Sequence, residues 1–408
     1  MGERNWAGNL VYGAERVLRP RTVDEVRELV AGHAVVKAVG TRHSFSDVAD
    51  SRGTHLDLSD LDIPVEIDAQ ARTVTVGAGV RYGDVAPALH DAGFALGNLA
   101  SLPHCSVAGT VATATHGSGR ANPTLSAAVS GVELVTADGD LRRFTRADDA
   151  LRGAAVGLGA LGVVTRVTLD LVRPYDLRQD AYYGLGWGAL LEAWDEVQGC
   201  GYSVSLFTRW VEDDPGMIMV KTRVEPGAEF AVPAVLAPAT AIAEPPGPHF
   251  TDWGTPGPWH TRLPHFRLEA TPSVGEELQS EYFVPWADAV PALTALREIG
   301  PKLADALFVS EIRAVAGDDL WLSPAHGGDR LCLHFTWQPK PEAVAALLPE
   351  IEARLAPFGA RAHWGKLATA ALPFAELYPE LPRFRALAES LDPGGKFGND
   401  YLDQRVFR

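Results

Sequence analysis

The sequence of 408 residues contains only three cysteines, Cys105, Cys200 and Cys332. Their number is odd and their spacing is unpaired, which argues against a disulfide framework and against a zinc site. We therefore expect no metal, and free thiols in a reducing, cytoplasmic compartment. The chain also lacks an uncharged stretch long enough to cross a bilayer, and its first residues lack an apolar core of signal-peptide length. No association with a membrane is expected.

Basic residues are scarce as well. The chain has 36 Lys and Arg against 52 Asp and Glu, which gives a formal net charge of −16. Sequence-independent binding to nucleic acid rests on cationic patches facing phosphates, so this charge makes nucleic acid an unexpected partner. The same charge disfavours adsorption to anionic membranes. A small neutral substrate would need no electrostatic steering, and we expect a monomer.

The pattern of apolar residues changes after about residue 175. Before that point short strands and helices alternate, and the clearest are a hairpin over 65–77, a helix over 82–92, two strands over 129–144 and a strand over 163–172. Pro174 marks a boundary. After it we predict strands over 203–210, 217–222, 279–284, 307–313, 331–337 and 360–364, and helices over 287–299 and 341–355. This alternation indicates an α+β second domain that covers the first.

Two glycine-rich or proline-rich stretches need separate treatment. Residues 225–264 are rich in proline, alanine and glycine, which predicts a long surface excursion or a lid rather than regular structure. Residues 157–162, Gly-Leu-Gly-Ala-Leu-Gly, match the dinucleotide-binding pattern G-x-G-x-x-G. That motif must follow a strand and open a helix. Here a predicted helix precedes it and a predicted strand follows, so we reject a nicotinamide-type site and interpret the glycines as a tight turn.

A turn near the start of the chain carries a candidate nucleophile. Gly40-Thr41-Arg42-His43-Ser44-Phe45 follows the apolar run at 34–36 and presents the imidazole of His43. Residues 98–119 form a second unusual segment, Asn-Leu-Ala-Ser-Leu-Pro-His-Cys-Ser-Val-Ala-Gly-Thr-Val-Ala-Thr-Ala-Thr-His-Gly-Ser-Gly. Its small residues and hydroxyls can bring many backbone N–H groups near a diphosphate without a cation. Each segment alone is more typical of an ordinary turn, but the pairing of the two is specific.

In these two segments the chain resembles the alditol (xylitol) oxidases of the vanillyl-alcohol-oxidase superfamily. The resemblance covers nearly the whole length. It includes segments at 5–9, 254–260, 275–283, 310–313, 318–324, 334–337 and 363–366. Residues 223–250 show no family pattern, which leaves the shape of this region and fine substrate preference open.

The resemblance implies a two-subdomain FAD-binding domain of the vanillyl-alcohol-oxidase (PCMH) type plus an α+β cap domain that binds substrate. The first would comprise residues 1–175, completed by the C-terminal tail from about 378 to 408, and the cap residues 176–377. FAD would be bonded through its 8α-methyl group to His43. The other implied flavin contacts are Val39, Gly40, Thr41, Arg42, Ser44, Ser101, Ser106, Gly109, Thr113, Ala114, Thr115, His116, Val163 and His363.

Two predicted strands in the second part each present a polar pair. Glu311 and Arg313 share one face of their strand, and His334 and Thr336 share one face of theirs. On periodicity alone, a solvated sheet face is the more usual explanation of such a pattern. The resemblance instead implies substrate binding by Ser101, Glu311, Arg313, Thr336 and Lys366. A lysine next to an aromatic residue and a flavin can be desolvated, which favours its basic form.

These residues predict a reaction. Lys366, with His334, accepts or hydrogen-bonds the proton of a terminal hydroxyl, hydride passes to flavin N5, and O₂ is reduced to H₂O₂. An aldonolactone or a 2-hydroxy acid is the alternative substrate, because Arg313 and Lys366 could clamp a carboxylate. Glu311 offsets that positive field and favours a neutral polyhydroxy compound. A non-catalytic protein that binds a sugar or nucleotide is the alternative from another class.

Overall fold

The computed structural model describes residues 3–211, 213–225, 227, 229–270 and 276–408. Gly275, the first residue of one family-like segment, and Pro226 and Ala228 of the proline-rich stretch lie outside these residues. No helix among the described residues has both the length and the apolar character that a bilayer crossing requires.

The first part of the chain forms two sheets. Its strands are β1 (Arg16–Leu18), β2 (Val36–Val39), β3 (Thr54–Asp57), β4 (Glu66–Asp68), β5 (Thr73–Gly77), β6 (Val129–Val135), β7 (Leu141–Thr145) and β8 (Val163–Asp170). A parallel three-stranded sheet has the order β1-β3-β2, and an antiparallel five-stranded sheet has the order β4-β5-β8-β6-β7. The predicted hairpin over 65–77 and the strand pair over 129–144 are confirmed.

The second part contributes the strands of one larger sheet. They are β9 (Asp176–Tyr183), β10 (Ser203–Thr208), β11 (Met217–Val224), β12 (Thr240–Ile242), β13 (Gly257–Pro258), β14 (Leu278–Pro285), β15 (Leu307–Val315), β16 (Arg330–Trp337) and β17 (Arg361–Ala362). Their order is β12-β9-β11-β10-β15-β16-β14-β17, with β13 paired to β9. We call this the cap sheet. The sequence patterns do not predict β9, and the strand expected over 360–364 is only two residues long.

Helices pack on all three sheets. They are α1 (Val23–Gly32), α2 (Tyr82–Asp91), α3 (Val107–Ala112), α4 (Leu151–Ala154), α5 (Trp187–Glu192), α6 (Trp194–Gly199), α7 (Trp259–Arg262), α8 (Ala289–Arg297), α9 (Gly300–Leu303), α10 (Pro341–Leu355), α11 (Phe374–Leu377), α12 (Leu381–Leu391) and α13 (Asp400–Leu402). The helix predicted over 82–92 is α2, which buries Val85 and Leu89 and is followed by Gly93 in the left-handed region, φ +82°. The two helices predicted in the second part are α8 and α10.

Two main hydrophobic cores accompany the sheets. The core of the five-stranded sheet includes residues from α12 and from the C-terminal turns, such as Phe384, Leu402 and Val406. The other core lies between the cap sheet and the helices α8 and α10, and it contains Leu206, Ile312 and Phe335. Alternation along each strand therefore turns the opposite, polar face of the cap sheet toward the first part of the chain.

The proline-rich stretch is more ordered than expected. Its segments β12 and β13 both pair with β9, and α7 follows β13. Trp253 and Trp259 are buried, Trp259 completely. The prediction of an excursion without regular structure is therefore wrong for this part of the stretch. The aromatic anchors supply enough buried apolar surface to fix a segment whose local composition favours turns.

Candidate active site

A cavity of about 460 Å³ lies between the first part of the chain and the polar face of the cap sheet. We call its two sides the loop wall, formed by residues 37–49, 100–116 and 154–164, and the sheet wall, formed by cap-sheet residues. Most residues predicted to hold cofactor or substrate line this cavity. They are Val39, Gly40, Thr41, Arg42, His43, Ser44, Ser101, Ser106, Gly109, Thr113, Thr115, His116, Glu311, Arg313, His334, Thr336, His363 and Lys366.

Two predicted flavin contacts do not line the cavity. Val163 is fully buried in the core of the small sheet, although its neighbours Gly162 and Val164 reach the cavity. Ala114 is also fully buried, in a left-handed backbone conformation with φ +55°. Alternation along β8 and the tight turn at Ala114 direct both side chains into the core, so any contact of these residues with the flavin is through the backbone and stays a prediction.

The loop wall is built by a close approach of two loops. A Cβ atom on Gly40 would lie 2.3 Å from Ser106 Oγ, so any larger residue there would force the Ser106 hydroxyl to move. Ser106 N donates to Thr41 Oγ1 at 3.2 Å. Arg42 is left-handed, φ +59°, and its guanidinium leaves the cavity to meet Asp57 at 3.0 Å. Arg42 therefore shapes the turn through its backbone and the ion pair.

His43 is held firmly but keeps its ring nitrogens free. Its ring stacks on Trp6 with centroids 5.3 Å apart, and Trp6 N donates to Arg42 O at 2.9 Å. Burial, reinforced by the charge of His104, lowers the pKa of His43 to about 4 against a weaker opposing effect from the backbone of Thr41. Among the described residues, no atom forms a hydrogen bond of acceptable geometry with either ring nitrogen. The imidazole is therefore neutral and nucleophilic at neutral pH.

The sheet wall carries a row of polar residues from neighbouring strands. In the register of the cap sheet Glu311 on β15 pairs with His334 on β16, and His334 pairs with Glu281 on β14. Glu281 is 1% exposed, Glu311 6% and His334 7%, so the alternative of a solvated sheet face is excluded. Glu281 is the main residue that sequence reasoning missed. Its two-residue spacing from Gln279 was a signal, but the register that aligns it with His334 is not readable from sequence.

Glu281 gathers the charges of the sheet wall. Its carboxylate accepts from Arg313, lies 2.6 Å from Lys366 Nζ and lies 3.2 Å from His116 Nε2. Burial opposes its ionisation, yet the charges of Lys366 and Arg313 hold the pKa of Glu281 well below its usual value. Lys366 is thus a partner in an ion pair, whereas the sequence analysis expected only an aromatic and a flavin beside it. Cys332 Sγ also donates to Glu281 at 2.6 Å.

Three potential metal ligands meet here, His116, Glu281 and Cys332, with ligand atoms within 4.8 Å of one another. Two cations already share the Glu281 carboxylate, and burial and the charge of Glu281 raise the pKa of the Cys332 thiol. A protonated thiol is a poor metal ligand. Among the described residues, this cluster is an ion-pair network in which Arg313 and Lys366 share the Glu281 carboxylate.

The protonation of His334 follows from its partners. Gln279 donates from Nε2 to Glu277 Oε1 at 2.5 Å, which leaves Gln279 Oε1 to accept from His334 Nε2 at 3.0 Å. Burial and the charge of Lys366 hold the pKa of His334 well below its usual value. A neutral ring with its proton on Nε2 leaves Nδ1 as an acceptor. Among the described residues Nδ1 has no partner.

The loop carrying His43 and the segment carrying Lys366 are joined directly. Phe45 N donates to Gly365 O at 2.7 Å, and Ser46 Oγ donates to Trp364 O at 2.7 Å. The nucleophile of the loop wall and the ammonium of the sheet wall are therefore held in a fixed relation. Such rigidity is what a site needs to orient two reacting groups.

Comparison with known proteins decides the family. A profile described as FAD binding domain matches residues 14–145, and one described as D-arabinono-1,4-lactone oxidase matches residues 275–405. The alditol oxidase of Streptomyces sp. is 46% identical over 405 residues, which cover 98% of this chain and 97% of that protein. The chain belongs to the FAD-dependent alditol oxidase family. It is an oxidoreductase, and FAD is its cofactor.

More distant relatives carry names that refer to lactone substrates. The L-gulono-1,4-lactone dehydrogenase of Mycobacterium tuberculosis is 30% identical and covers 97% of each chain. The L-gulonolactone oxidase of Mus musculus is 26% identical, covering 98% of this chain and 97% of that one. Among solved structures a solvent-stable cholesterol oxidase matches with a TM-score of 0.77 at 16% identity, covering 99% of this chain and 97% of the other. This likeness confirms the predicted fold.

The loop wall of this oxidoreductase fits FAD. The profile match at 14–145 contains both the His43 turn and the hydroxyl-rich segment. The wall presents Ser106 Oγ, buried and without a hydrogen-bond partner among the described residues, between glycines 40 and 109. Buried polar atoms are rarely left unpaired in native proteins, so these groups await a ligand with complementary polar atoms.

Proposed function

We propose that this protein oxidises the terminal hydroxyl of alditols such as xylitol, sorbitol or glycerol to the aldose, with O₂ reduced to H₂O₂. Two observations together support this proposal. A relative named alditol oxidase is 46% identical over 405 residues. The hydrogen bond from Phe45 N to Gly365 O holds the His43 loop against the segment that carries Lys366. The FAD supplies hydride acceptance and transfer of electrons to O₂.

The covalent tether at His43 is part of this proposal. A neutral imidazole is required for attack on the 8α-methyl carbon of the flavin, and the low pKa of His43 keeps the ring neutral. Stacking on Trp6 restricts ring rotation. Val39, Gly40, Thr41, Ser44 and Ser106 would hold the cofactor around this point, and His363 would approach from the sheet wall.

We further propose that the FAD-binding unit comprises residues 1–175 and 378–408, and the substrate unit 176–377. All strands of the two smaller sheets end before 175, and all strands of the cap sheet lie between 176 and 362. The core of the first part also includes tail residues 381–406. The distribution of the sheets and the packing of the tail support this division, and Leu177, Trp259 and Trp364 of the substrate unit join the same core across the boundary.

The charge pattern of the cavity favours a neutral substrate. Among the described lining residues, three of the four Lys and Arg side chains have an acidic partner, and the fourth, Lys37, donates to backbone carbonyls on the loop wall. Lys366 meets Glu281, Arg313 meets Glu281, and Arg42 meets Asp57. A carboxylate substrate would need an uncompensated cation, because a buried unpaired charge is costly. Hydroxyl groups instead find donors and acceptors in Ser101, Glu311, Arg313 and Thr336.

Proton movement falls to two residues of the sheet wall. His334 Nδ1 is the free acceptor and is positioned by Gln279. Lys366, held by Glu281 at 2.6 Å, donates a hydrogen bond to the substrate oxygen and stabilises the negative charge that develops there as His334 Nδ1 accepts the hydroxyl proton. Small Ala100 lies beside Ser101 at the cavity and leaves room for O₂.

The proposal is tested with a substrate panel and peroxide detection. Xylitol, sorbitol, glycerol, L-gulono-1,4-lactone and lactate are supplied to the purified holoenzyme under air. We expect peroxide from the alditols. Peroxide from the lactone or from lactate alone would reject the alditol proposal. A colourless protein that binds a sugar without turnover would instead support the non-catalytic alternative.

A lactone is the second candidate substrate. The profile matched at 275–405 is described as D-arabinono-1,4-lactone oxidase, and a lactone is also neutral. The two candidates differ in the reacting group, a primary alcohol or a ring hydroxyl. The ratio of kcat/KM for xylitol to that for the lactone decides between them, and we expect it to exceed about 10, or roughly 1.4 kcal/mol in transition-state binding.

The tether has its own test. His43→Ala should leave the flavin in the supernatant after acid precipitation, or leave the protein empty, while the wild-type pellet stays yellow. His33→Ala, which changes a histidine outside the cavity lining, is the matched control and should keep a yellow pellet. A yellow pellet from His43→Ala would reject the tether.

A further inference from the structure

A chain of hydrogen bonds runs behind Glu311. Lys221, on β11, is 2% exposed and donates to Leu263 O and to His265 Nδ1, the latter at 3.1 Å. His265 Nε2 lies 3.0 Å from Glu311 Oε1. Neither Lys221 nor His265 is part of the substrate set inferred from sequence. Both reach this position because β11 and the segment after α7 come together near Glu311, with β10 between β11 and β15.

The partners determine the tautomer of His265. Burial and the nearby charge of Lys221 lower the pKa of His265, so its ring is neutral. A neutral ring carries one N–H. The amine of Lys221 donates to Nδ1, so the ring proton is on Nε2 and is donated to Glu311. Lys221 thus acts on Glu311 through the imidazole.

His265 also contacts the opposite wall. Its backbone N donates to Ser101 O at 3.0 Å, and the next residue, Phe266, donates to the same oxygen at 3.3 Å. Ser101 belongs to the loop wall and Glu311 to the sheet wall. One residue therefore ties together two groups that the proposed function assigns to substrate binding.

The bond from His265 leaves a defined part of Glu311 available. Oε1 is occupied by the imidazole, and Oε2 lies on the side of Arg313, with 3.8 Å to its Nη1. A carboxylate held in this way presents one oxygen in a fixed direction. A free carboxylate would lose rotational freedom on binding, which reduces affinity.

We propose that His265, held by Lys221, is a positioning residue that orients Glu311 and so determines the affinity for the hydroxyl groups of the substrate. The proposal rests on the proposed function, because it assigns Glu311 to substrate binding. It assigns no chemical step to His265.

The test is anaerobic flavin reduction followed by stopped-flow absorbance in the holoenzyme. This measurement separates the Kd for the polyol from the limiting rate of reduction. His265→Leu should raise the Kd for xylitol roughly 10-fold, the usual effect of one hydrogen bond to a charged group, and change the limiting rate less than about 3-fold. Lys221→Met, which acts from outside the cavity lining, should raise Kd in the same direction and by less.

Two further variants separate positioning from a merely structural role. His265→Gln keeps an N–H near the position of Nε2 and should restore Kd to within about 3-fold of the wild type. In the Glu311→Gln background, His265→Leu should change Kd by less than about 2-fold, because its effect passes through Glu311. Flavin content and the thermal midpoint are measured for every variant.

Additive effects of His265→Leu and Glu311→Gln would overturn the inference. So would an unchanged Kd in both His265→Leu and Lys221→Met. Failure of the proposed function gives a different result, since no alditol would then reduce the wild-type flavin. In that case the same cycle is read on whichever panel substrate reduces it, and loss of coupling there also overturns the inference.

Discussion

The two walls of the cavity differ in the charge of the side chains they present. The loop wall must hold a large anionic cofactor, and it presents glycines, hydroxyls and the neutral ring of His43. In the proposed function the sheet wall faces a small neutral substrate, and this wall is densely charged, with Lys366, Glu281, Arg313 and Glu311. Charge is therefore placed where reaction requires a proton to move. Binding of the cofactor is left to backbone groups and shape, which tolerate no change in loop geometry.

The largest effect expected from breaking this contrast is at Lys366. Lys366→Met should lower kcat roughly 1,000-fold or more while leaving flavin content unchanged, because the ammonium that orients the substrate oxygen and stabilises its developing charge is lost and the loop wall is untouched. Flavin reduction by xylitol measures it. Lys302→Met, in an exposed pair with Glu350, is the control and should be near wild type. Normal flavin reduction in Lys366→Met would refute its role.

Removing the central anion should damage the sheet wall alone. Glu281→Gln leaves Arg313 and Lys366 without their shared counter-ion, so we expect the free energy of unfolding to fall by about 3 kcal/mol. We expect kcat/KM for xylitol to fall roughly 100-fold as well. Denaturant titration and steady-state kinetics give both values. Glu350→Gln, at an exposed pair, should change stability by less than about 0.5 kcal/mol, and an equal loss there would argue against a special role for Glu281.

A buried lysine lies in the loop wall and another lies behind the sheet wall. Burial is the chief cause that lowers the pKa of each lysine to about 7. Lys37 donates to three backbone carbonyls, and Lys221 stands behind Glu311. Above pH 7 the unfolded state binds more protons at these sites, so stability should rise with pH between about 7 and 8.5. The slope is roughly 1.4 kcal/mol per pH unit for each lysine.

Denaturant titration across that window measures the slope. Lys37→Met should remove the share of one lysine, and Lys302→Met should remove none. A flat profile in the wild type would contradict the low pKa of both residues.

The smallest effect is expected at Thr336. Thr336→Val keeps the shape and removes a hydroxyl, so KM for xylitol should rise about 5-fold with kcat nearly constant. Thr294→Val, on the exposed side of α8, is the matched control. A fall in kcat with constant KM would place Thr336 in the chemical step instead.

The sequence predicted which segments form the two walls better than it predicted which side chains meet there. A short sequence motif predicted the His43 turn, and strand alternation predicted that Glu311 and Arg313 share a face. Both predictions depend only on short-range geometry. Glu281 and Gln279 were missed because their two-residue spacing does not reveal which strand they pair with, and His265 was missed because nothing local distinguishes it from an ordinary loop residue. The side chains of Val163 and Ala114 lie in the core for a related reason, since a one-residue difference in direction moves a side chain from cavity to core.

The sequence by itself determined the family, the cofactor and the positions of the loops that approach it. These follow from glycines, hydroxyls and a histidine at fixed spacings, which act within a few residues of one another. Only the tertiary structure decided how the charges are paired. Glu281 meets Lys366 across 85 positions of the chain and Arg313 across 32, and such pairings depend on the register of the cap sheet and the packing of its segments. Burial then converts that register into shifted pKa values and a defined set of donors and acceptors.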